Sequence, residues 1–341
     1  MENKTRQSNF ELLRIIAMLM ILNLHSFVGQ GKLSLSQIDS FIVFDYFRES
    51  CSICAVNCFV LISGYFGIKW KLKSLLNLVF QVYFYVIGLF IIACLLGYSD
   101  FSIIKFASRA NCLIVSYWFI SAYLILYLIA PVLNAFVASS DKKRLLTFIV
   151  IFYIIQSYFC LIGPKYFNDC MNFVGLYLIG QYFRIYGNDK LNVVSHGKLI
   201  ITYILISLLI CVFAIGQKIL MHSGKTEFEL LGGVYSNPLV IIQSICLFAI
   251  LLRLQISNKF INWCGISSLS VYLIHLSPDI KNYYISFCQN LYYYPPLYHI
   301  LILAPFIIIV FAICILIDKI RLFIWNQICI LINNKLNSNK R

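Results

Sequence analysis

Residues 10–28 read FELLRIIAMLMILNLHSFV, a long apolar run broken by few ionisable side chains. A helix needs about 20 mostly apolar residues to cross the hydrocarbon core of a bilayer. Arg14 lies inside the run and no small-residue cleavage site follows it. The run is therefore expected to stay in place as a first membrane span and not to be removed as a signal segment. Arg14 and His25 are eleven residues apart. At about 100° per residue this returns His25 to nearly the same helix face, about 16 Å further along. Ala17, Met18 and Ile21 share that stripe. One face thus carries a fixed cation near one end and an imidazole near the other. Ionisable groups inside a membrane are costly and usually functional. The bland alternatives are snorkelling for Arg14 and a hydrogen-bonded packing role for His25.

Outward from this run the same texture continues. Of 341 residues, 61% are hydrophobic and 12% charged, with a mean hydropathy of +0.85. Soluble domains are about 45–50% apolar and about 25% charged, so a soluble core is excluded. Apolar blocks recur at 51–68, 75–97, 114–137, 145–163, 171–187, 199–220, 234–254, 262–280 and 299–317. The sequence predicts an all-α, polytopic transmembrane bundle of about ten spans. The ninth block is the weakest, since it holds Ser267, Ser268, Ser270 and His275. With the N-terminus in the cytoplasm, 19 Lys and Arg fall on the cytoplasmic side and 8 on the other. That bias places both termini in the cytoplasm. The whole of 1–341 is expected to be one membrane domain, with an interfacial or flexible tail from about 319.

The net charge of +14 does not point to nucleic acid, because the basic residues sit in short groups between apolar blocks. The 13 cysteines lie mostly within apolar blocks, where thiols pack as small hydrophobes. Cys51, Cys54 and Cys58 have no second CxxC or nearby His, so no metal is expected. The longest outer segments, around 29–50 and 281–298, carry few basic residues. Tyr292, Tyr293 and Tyr294 there suit an interfacial belt or a sugar-stacking surface.

Counting helical rise places His275 at an outer depth similar to that of His25, so the two imidazoles can share one cavity. Ser63-Gly64 in the second block suits close helix approach and is not a GxSxG elbow. Tyr117 and Trp118 open the fourth block, as belt residues or as candidates for substrate binding. His196, His222 and His299 fall in loops or at span edges and read as ordinary surface histidines.

Asn9–Ala17 (NFELLRIIA) with His25, FVLISGYF at 59–66, YWFISAYLILYLIAP at 117–131, YSNPLVIIQSICLFAIL at 235–251 and SVYLIHLSP at 270–278 together resemble the membrane-bound acyltransferase-3 family, in the family's order and over nearly the whole chain. The resemblance implies transfer of an acyl group, most often acetyl, from acyl-CoA to a hydroxyl of a surface polysaccharide or lipid-linked oligosaccharide, by a multi-pass protein of the bacterial inner (plasma) membrane. Some members append an extracytoplasmic hydrolase-like domain, and no segment of this sequence resembles one. In this reading Arg14 with Lys69, Lys71 and Lys73 holds the donor phosphates. His25 acts as general base or as an acyl carrier. His275 orients His25 or binds the acceptor. The rival readings are a glycan polymerase or flippase, and a transporter. Short outer segments weigh against the first. Absence of an internal repeat and of intramembrane carboxylates weighs against the second.

Overall fold

The computed structural model describes residues 6–27, 34–111, 117–162, 165–191, 194–224 and 235–338. Among the described residues the regular structure is all helical. In chain order the helices are α1 (Ser8–Ser26), α2 (Ser40–Ser52), α3 (Ala55–Phe66), α4 (Leu72–Leu95), α5 (Ile103–Ala110), α6 (Trp118–Ala138), α7 (Lys142–Ile162), α8 (Lys165–Leu191), α9 (His196–His222), α10 (Pro238–Leu252), α11 (Lys259–Gly265), α12 (Ser268–His275), α13 (Lys281–Asn290) and α14 (Pro296–Ser338). Short 3-10 turns cover Leu35–Gln37 and Leu291–Tyr293.

Six stretches among the described residues are long and apolar enough to cross a membrane: α1, α2 with α3 (Ser40–Phe66), α4, α6, α9 and the Pro296–Ile332 part of α14. The remaining four expected blocks lie over α7, α8, α10 and the α11–α12 pair. Of these, α10 has only 15 residues. The ninth block is two short helices broken at Ile266 and Ser267. A break inside a bilayer needs its freed backbone groups satisfied by protein. Lys319 does part of this, its Nζ donating to the Trp263 carbonyl at 2.5 Å and the Ser267 hydroxyl at 2.9 Å.

Helix α1 occupies the middle of the bundle, touching α2, α3 and every helix from α10 to α14. Its N-terminal end is tied to the chain near 250: Asn9 Nδ2 donates to the Leu251 and Leu252 carbonyls at 3.3 and 3.1 Å, which are terminal carbonyls of α10. The Asn258 amide donates to Ser8 Oγ at 2.9 Å. Side chains cap the neighbouring helix starts. Asn258 accepts from the Phe260 and Ile261 amides, and Asn237 from the Leu239 amide ahead of Pro238, in the usual N-cap manner.

The Ser63-Gly64 pair lies where α3 crosses α8. A Cβ on Gly64 would sit 2.3 Å from the Tyr177 carbonyl oxygen, and one on Gly180 would sit 2.5 Å from the Leu61 carbonyl oxygen. Two backbones in contact through small residues maximise dispersion where no hydrophobic force separates protein from lipid. Gly67, at φ +72°, then ends α3 in a conformation that costs glycine little. The segment after it is fixed by phenols: Tyr177 receives the Ile68 amide and Tyr127 the Lys71 amide, both at 2.9 Å.

Helix α14 continues past residue 319, into the stretch expected as an interfacial or flexible tail, as far as Ser338. Asp318 and Arg321 form a buried ion pair at 2.7 Å, with Arg321 only 2% exposed. Tyr85 donates to Asp318 Oδ1 at 2.5 Å, joining α14 to α4. The expectation that the spans lack carboxylates therefore fails at this point. The apolar pattern hides the pair because both charges sit one turn apart on one inward face.

Candidate functional site

Three cavities that share walls run alongside α1. The first is an open basin of about 1830 Å³, counting its mouth, lined by Arg6, Arg14, Lys69, Lys71 and Arg184, with Glu11 as its carboxylate. Arg6, Arg14 and Ser74 also line a second space of about 1060 Å³, which continues past Ser63, Asn77, Gln81, Tyr123 and Tyr127. Phe59, Phe119 and Leu269 are shared between that space and a third, smaller and more closed chamber. Met18, Ile21, Leu24 and His25 form the α1 wall of this chamber, facing Trp118, Tyr235 and Tyr272. The stripe from Arg14 to His25 thus follows a passage from a cationic mouth to an aromatic chamber.

In the basin, Glu11 Oε1 accepts from Arg6 at 2.8 Å and from Arg14 at 2.6 Å. Glu11 is 3% exposed, and its second oxygen has no hydrogen-bond partner among the described residues. It presses on Gly265, where a Cβ would be 2.4 Å from Glu11 Oε2. Glu11 is at i−3 of Arg14, the spacing of neighbours on a helix face. That spacing is the sequence signal by which this partner was available to find.

The two expected imidazoles meet at the chamber wall, with His25 Nδ1 2.8 Å from His275 Nε2. Of the two, His25 lines the chamber, and His275 is buried behind it and does not share the cavity. His275 is buried, and its Nδ1 is 2.5 Å from the Val271 carbonyl, one turn back on α12. A carbonyl can only accept, so His275 Nδ1 carries the proton. In neutral His275, Nε2 is then the acceptor. It follows that His25 Nδ1 donates and His25 Nε2 holds the ring's free lone pair. This tautomer is assigned from the hydrogen-bond network. It leaves His25 with a basic, nucleophilic nitrogen and fixes its ring by a second histidine, the arrangement that base catalysis requires.

The C-terminal end of α1 is clamped on several sides. Arg48 of α2 donates to the Asn23 carbonyl at 3.1 Å, to the Asn23 side-chain oxygen, and to Ser26 Oγ at 2.7 Å. Asp45 pairs with Arg48 at 2.5 Å and accepts from Tyr292 at 2.5 Å. Tyr284 donates to the Leu22 carbonyl at 2.7 Å, and its ring lies 5.5 Å from that of His275. These groups satisfy carbonyls that a helix C-terminus leaves without partners. A guanidinium there also complements the helix dipole. Arg48 was counted among outer loop cations in the sequence, and Tyr292 among belt or stacking residues. Both are instead part of the support for the turn that carries His25.

Trp118 lines the chamber, stacked on Tyr235 with ring centroids 5.2 Å apart. Tyr117 does not line it. Tyr117 is buried and donates to the Leu273 carbonyl of α12 at 2.7 Å. Lys69 and Lys71 line the basin, whereas Lys73 is exposed on the first turn of α4 and lies outside it. His299, expected at the surface, is 2% exposed and packed against Phe41 and Tyr292. No sequence period signalled this, because its burial depends on α2 folding back over the start of α14.

The fold and the passage together define a multi-pass membrane protein whose bundle joins a basic basin to a histidine-bearing chamber. The family profile described as an acyltransferase domain matches residues 7–319. The chain belongs to the membrane acyltransferase-3 family. Comparison with curated proteins and with solved structures gives no match.

Proposed function

We propose that this acyltransferase moves an acyl group, acetyl in the first instance, from cytoplasmic acyl-CoA to a hydroxyl of an extracytoplasmic surface polysaccharide or its lipid-linked precursor, in a bacterial plasma membrane. The supporting observation is the passage itself. Arg6, Arg14, Lys69, Lys71 and Arg184 surround its mouth, and His25 lines its far end. Acyl-CoA is polyanionic at one end and carries a thioester on a long arm at the other. Guanidinium and ammonium groups suit its phosphates. The rise of about 16 Å from Arg14 to His25 suits its arm.

In this reading His25 Nε2 takes the proton of the sugar hydroxyl as the oxygen attacks the thioester carbonyl. The tetrahedral intermediate collapses, the C–S bond breaks, and the thiolate recovers the proton from the imidazolium. The products are an O-acyl sugar and free CoA. The same lone pair suits an acyl-histidine relay: Nε2 attacks the thioester carbonyl, the C–S bond breaks to release the CoA thiolate, and His275 Nε2 takes the Nδ1 proton. The sugar oxygen then attacks the acyl carbon, the N–C bond breaks, the Nδ1 proton returns, and the hydroxyl proton leaves on the CoA thiol. Detection of an acylated His25 peptide by mass spectrometry after a donor-only incubation distinguishes the two.

The proposed topology has ten crossings and both termini in the cytoplasm, resting on the charge bias. Cysteine labelling is expected to place 69–73 and 141–144 in the cytoplasm and 100–112 outside. The 222–232 loop is also expected outside; its residues 225–232 lie outside the described residues, as do residues 28–33 at the start of the 29–50 segment. Mass analysis of the host's surface glycan, with and without the gene, tests the activity. Loss of one acyl mass per repeat supports the reading. An unchanged acyl pattern on shortened chains refutes it in favour of a polymerase.

A further inference from the structure

The chamber holds a polar group that neither the histidine pair nor the packing uses. Tyr272 lines it beside His25, on α12 and one turn before His275. The residue is 5% exposed, and its hydroxyl is buried with no hydrogen-bond partner among the described residues. The backbone N–H of Phe119 is directed at the phenol oxygen and can only donate to it, so the hydroxyl proton itself is left without an acceptor among the described residues. The ring is held firmly by its neighbours, with centroids of Tyr117 at 5.6 Å and Phe119 at 5.8 Å.

A buried hydroxyl without a partner costs about 1–3 kcal/mol, whereas an apolar group of the same shape in its place can be neutral or stabilising. Phenylalanine would fill this site without that cost. Buried polar groups are satisfied so regularly that an exception calls for a ligand or a catalytic role. The surroundings select among ligands. Helix α6 begins at Trp118, and Trp118 and Phe119 both line the chamber. The first amides of a helix lack intrahelical acceptors, and the dipole there favours negative charge. Tyr272 with its unused hydroxyl proton, the first residues of α6 and His25 therefore border one small space.

We propose that Tyr272 is a catalytic residue that donates its hydroxyl hydrogen bond to the thioester carbonyl oxygen as that oxygen becomes an oxyanion. This inference rests on the acyl-transfer reading above. Tyr272 keeps its proton throughout. The new C–O bond forms, charge moves onto the carbonyl oxygen and is held by the phenol, and collapse of the intermediate breaks the C–S bond. His25 carries the only transferred proton. The donor is buried and oriented before reaction, so it adds most where charge develops.

The test is Tyr272→Phe in the full-length protein reconstituted in proteoliposomes, with acetyl-CoA and the wild-type glycan acceptor. Loss of one oxyanion donor lowers kcat by about 10²–10³. The expected result is a kcat fall in that range, a KM for acetyl-CoA within about twofold, and thermal stability equal to or above wild type. A merely structural tyrosine would not combine slower chemistry with undiminished stability. A kcat within threefold of wild type overturns the proposal, and so does a KM rise at constant kcat. Should Tyr272→Phe lose stability, Tyr272→Met provides the second arm. It removes the hydroxyl while keeping apolar bulk, and a wild-type kcat in it also overturns the proposal. If the wild-type protein transfers no acyl group to any glycan, the functional reading fails. If wild type transfers and Tyr272→Phe matches it, this inference alone fails.

Discussion

Replacing His275 with alanine removes the acceptor for the His25 Nδ1 proton and leaves that N–H facing a buried space. Two quantities bound the effect. A net hydrogen bond between neutral groups contributes about 0.5–1.5 kcal/mol, and one to a charged group about 1.5–3 kcal/mol. The 2.8 Å contact is of the first kind at rest. In the proposed reaction it becomes the second kind, when His25 turns into an imidazolium during transfer. The interaction that counts for kcat is the one made in the transition state. A loss of about 1.5–3 kcal/mol corresponds to about a 10- to 150-fold fall in kcat. The donor mouth lies at the other end of the passage, so KM for acyl-CoA is expected to hold within twofold. His275→Gln supplies a finer comparison. Its amide oxygen can accept from His25 Nδ1, and most of the lost activity should return. The assay is transfer of labelled acetyl to glycan in proteoliposomes, normalised to monodisperse protein. A His275→Ala enzyme with wild-type kcat would show that the histidine pair is packing. A well-folded His275→Gln as slow as His275→Ala would show that something other than the accepted hydrogen bond matters.

Other outcomes follow from the same geometry. His25→Ala is expected to lose about 10²–10⁴-fold in rate, the usual cost of a missing general base. His25→Gln should fail with it, since an amide takes up no proton at neutral pH; near-normal acylation by His25→Gln would make the residue structural. Arg14→Ala should raise KM for acyl-CoA more than it lowers kcat, with partial recovery in Arg14→Lys, and an unchanged KM in a folded protein would reduce Arg14 to an anchor. Glu11→Gln frees both guanidiniums from a competing carboxylate and should lower the donor KM, so a higher KM would mean that Glu11 holds Arg14 in its working position. Gly64→Ala forces a Cβ to within 2.3 Å of the Tyr177 carbonyl, and overpacking of this kind costs about 1–3 kcal/mol. Its thermal midpoint in detergent should fall, and an unchanged midpoint would contradict the close α3–α8 contact.

Part of this protein is written along single helices. The length and apolarity of its blocks determine that it is a membrane helical bundle, because a bilayer accepts little else. The 3.6-residue period determines that Arg14, Met18, Ile21 and His25 share a face. The family motifs lie along the chain in order, and depth counting set His275 at the level of His25. What the sequence did not carry is the inward or outward sense of each polar side chain, because period and composition are blind to which neighbours a face meets. His25 and His275 are 250 positions apart, and their contact depends on α1 and α12 packing side by side. Arg48 reads from the sequence as one more charge of the outer segments, and only the folding of α2 against the end of α1 makes it a clamp. Arg321 reads as a charge of an interfacial or flexible tail, and only its pairing with Asp318, on which Tyr85 closes, buries it. The ninth block read as one span, and tertiary packing broke it so that Glu11 could press on Gly265 and α12 could turn His275 towards His25. A charge in a membrane protein is stable wherever a partner offsets its desolvation, and only the folded bundle decides where those partners stand.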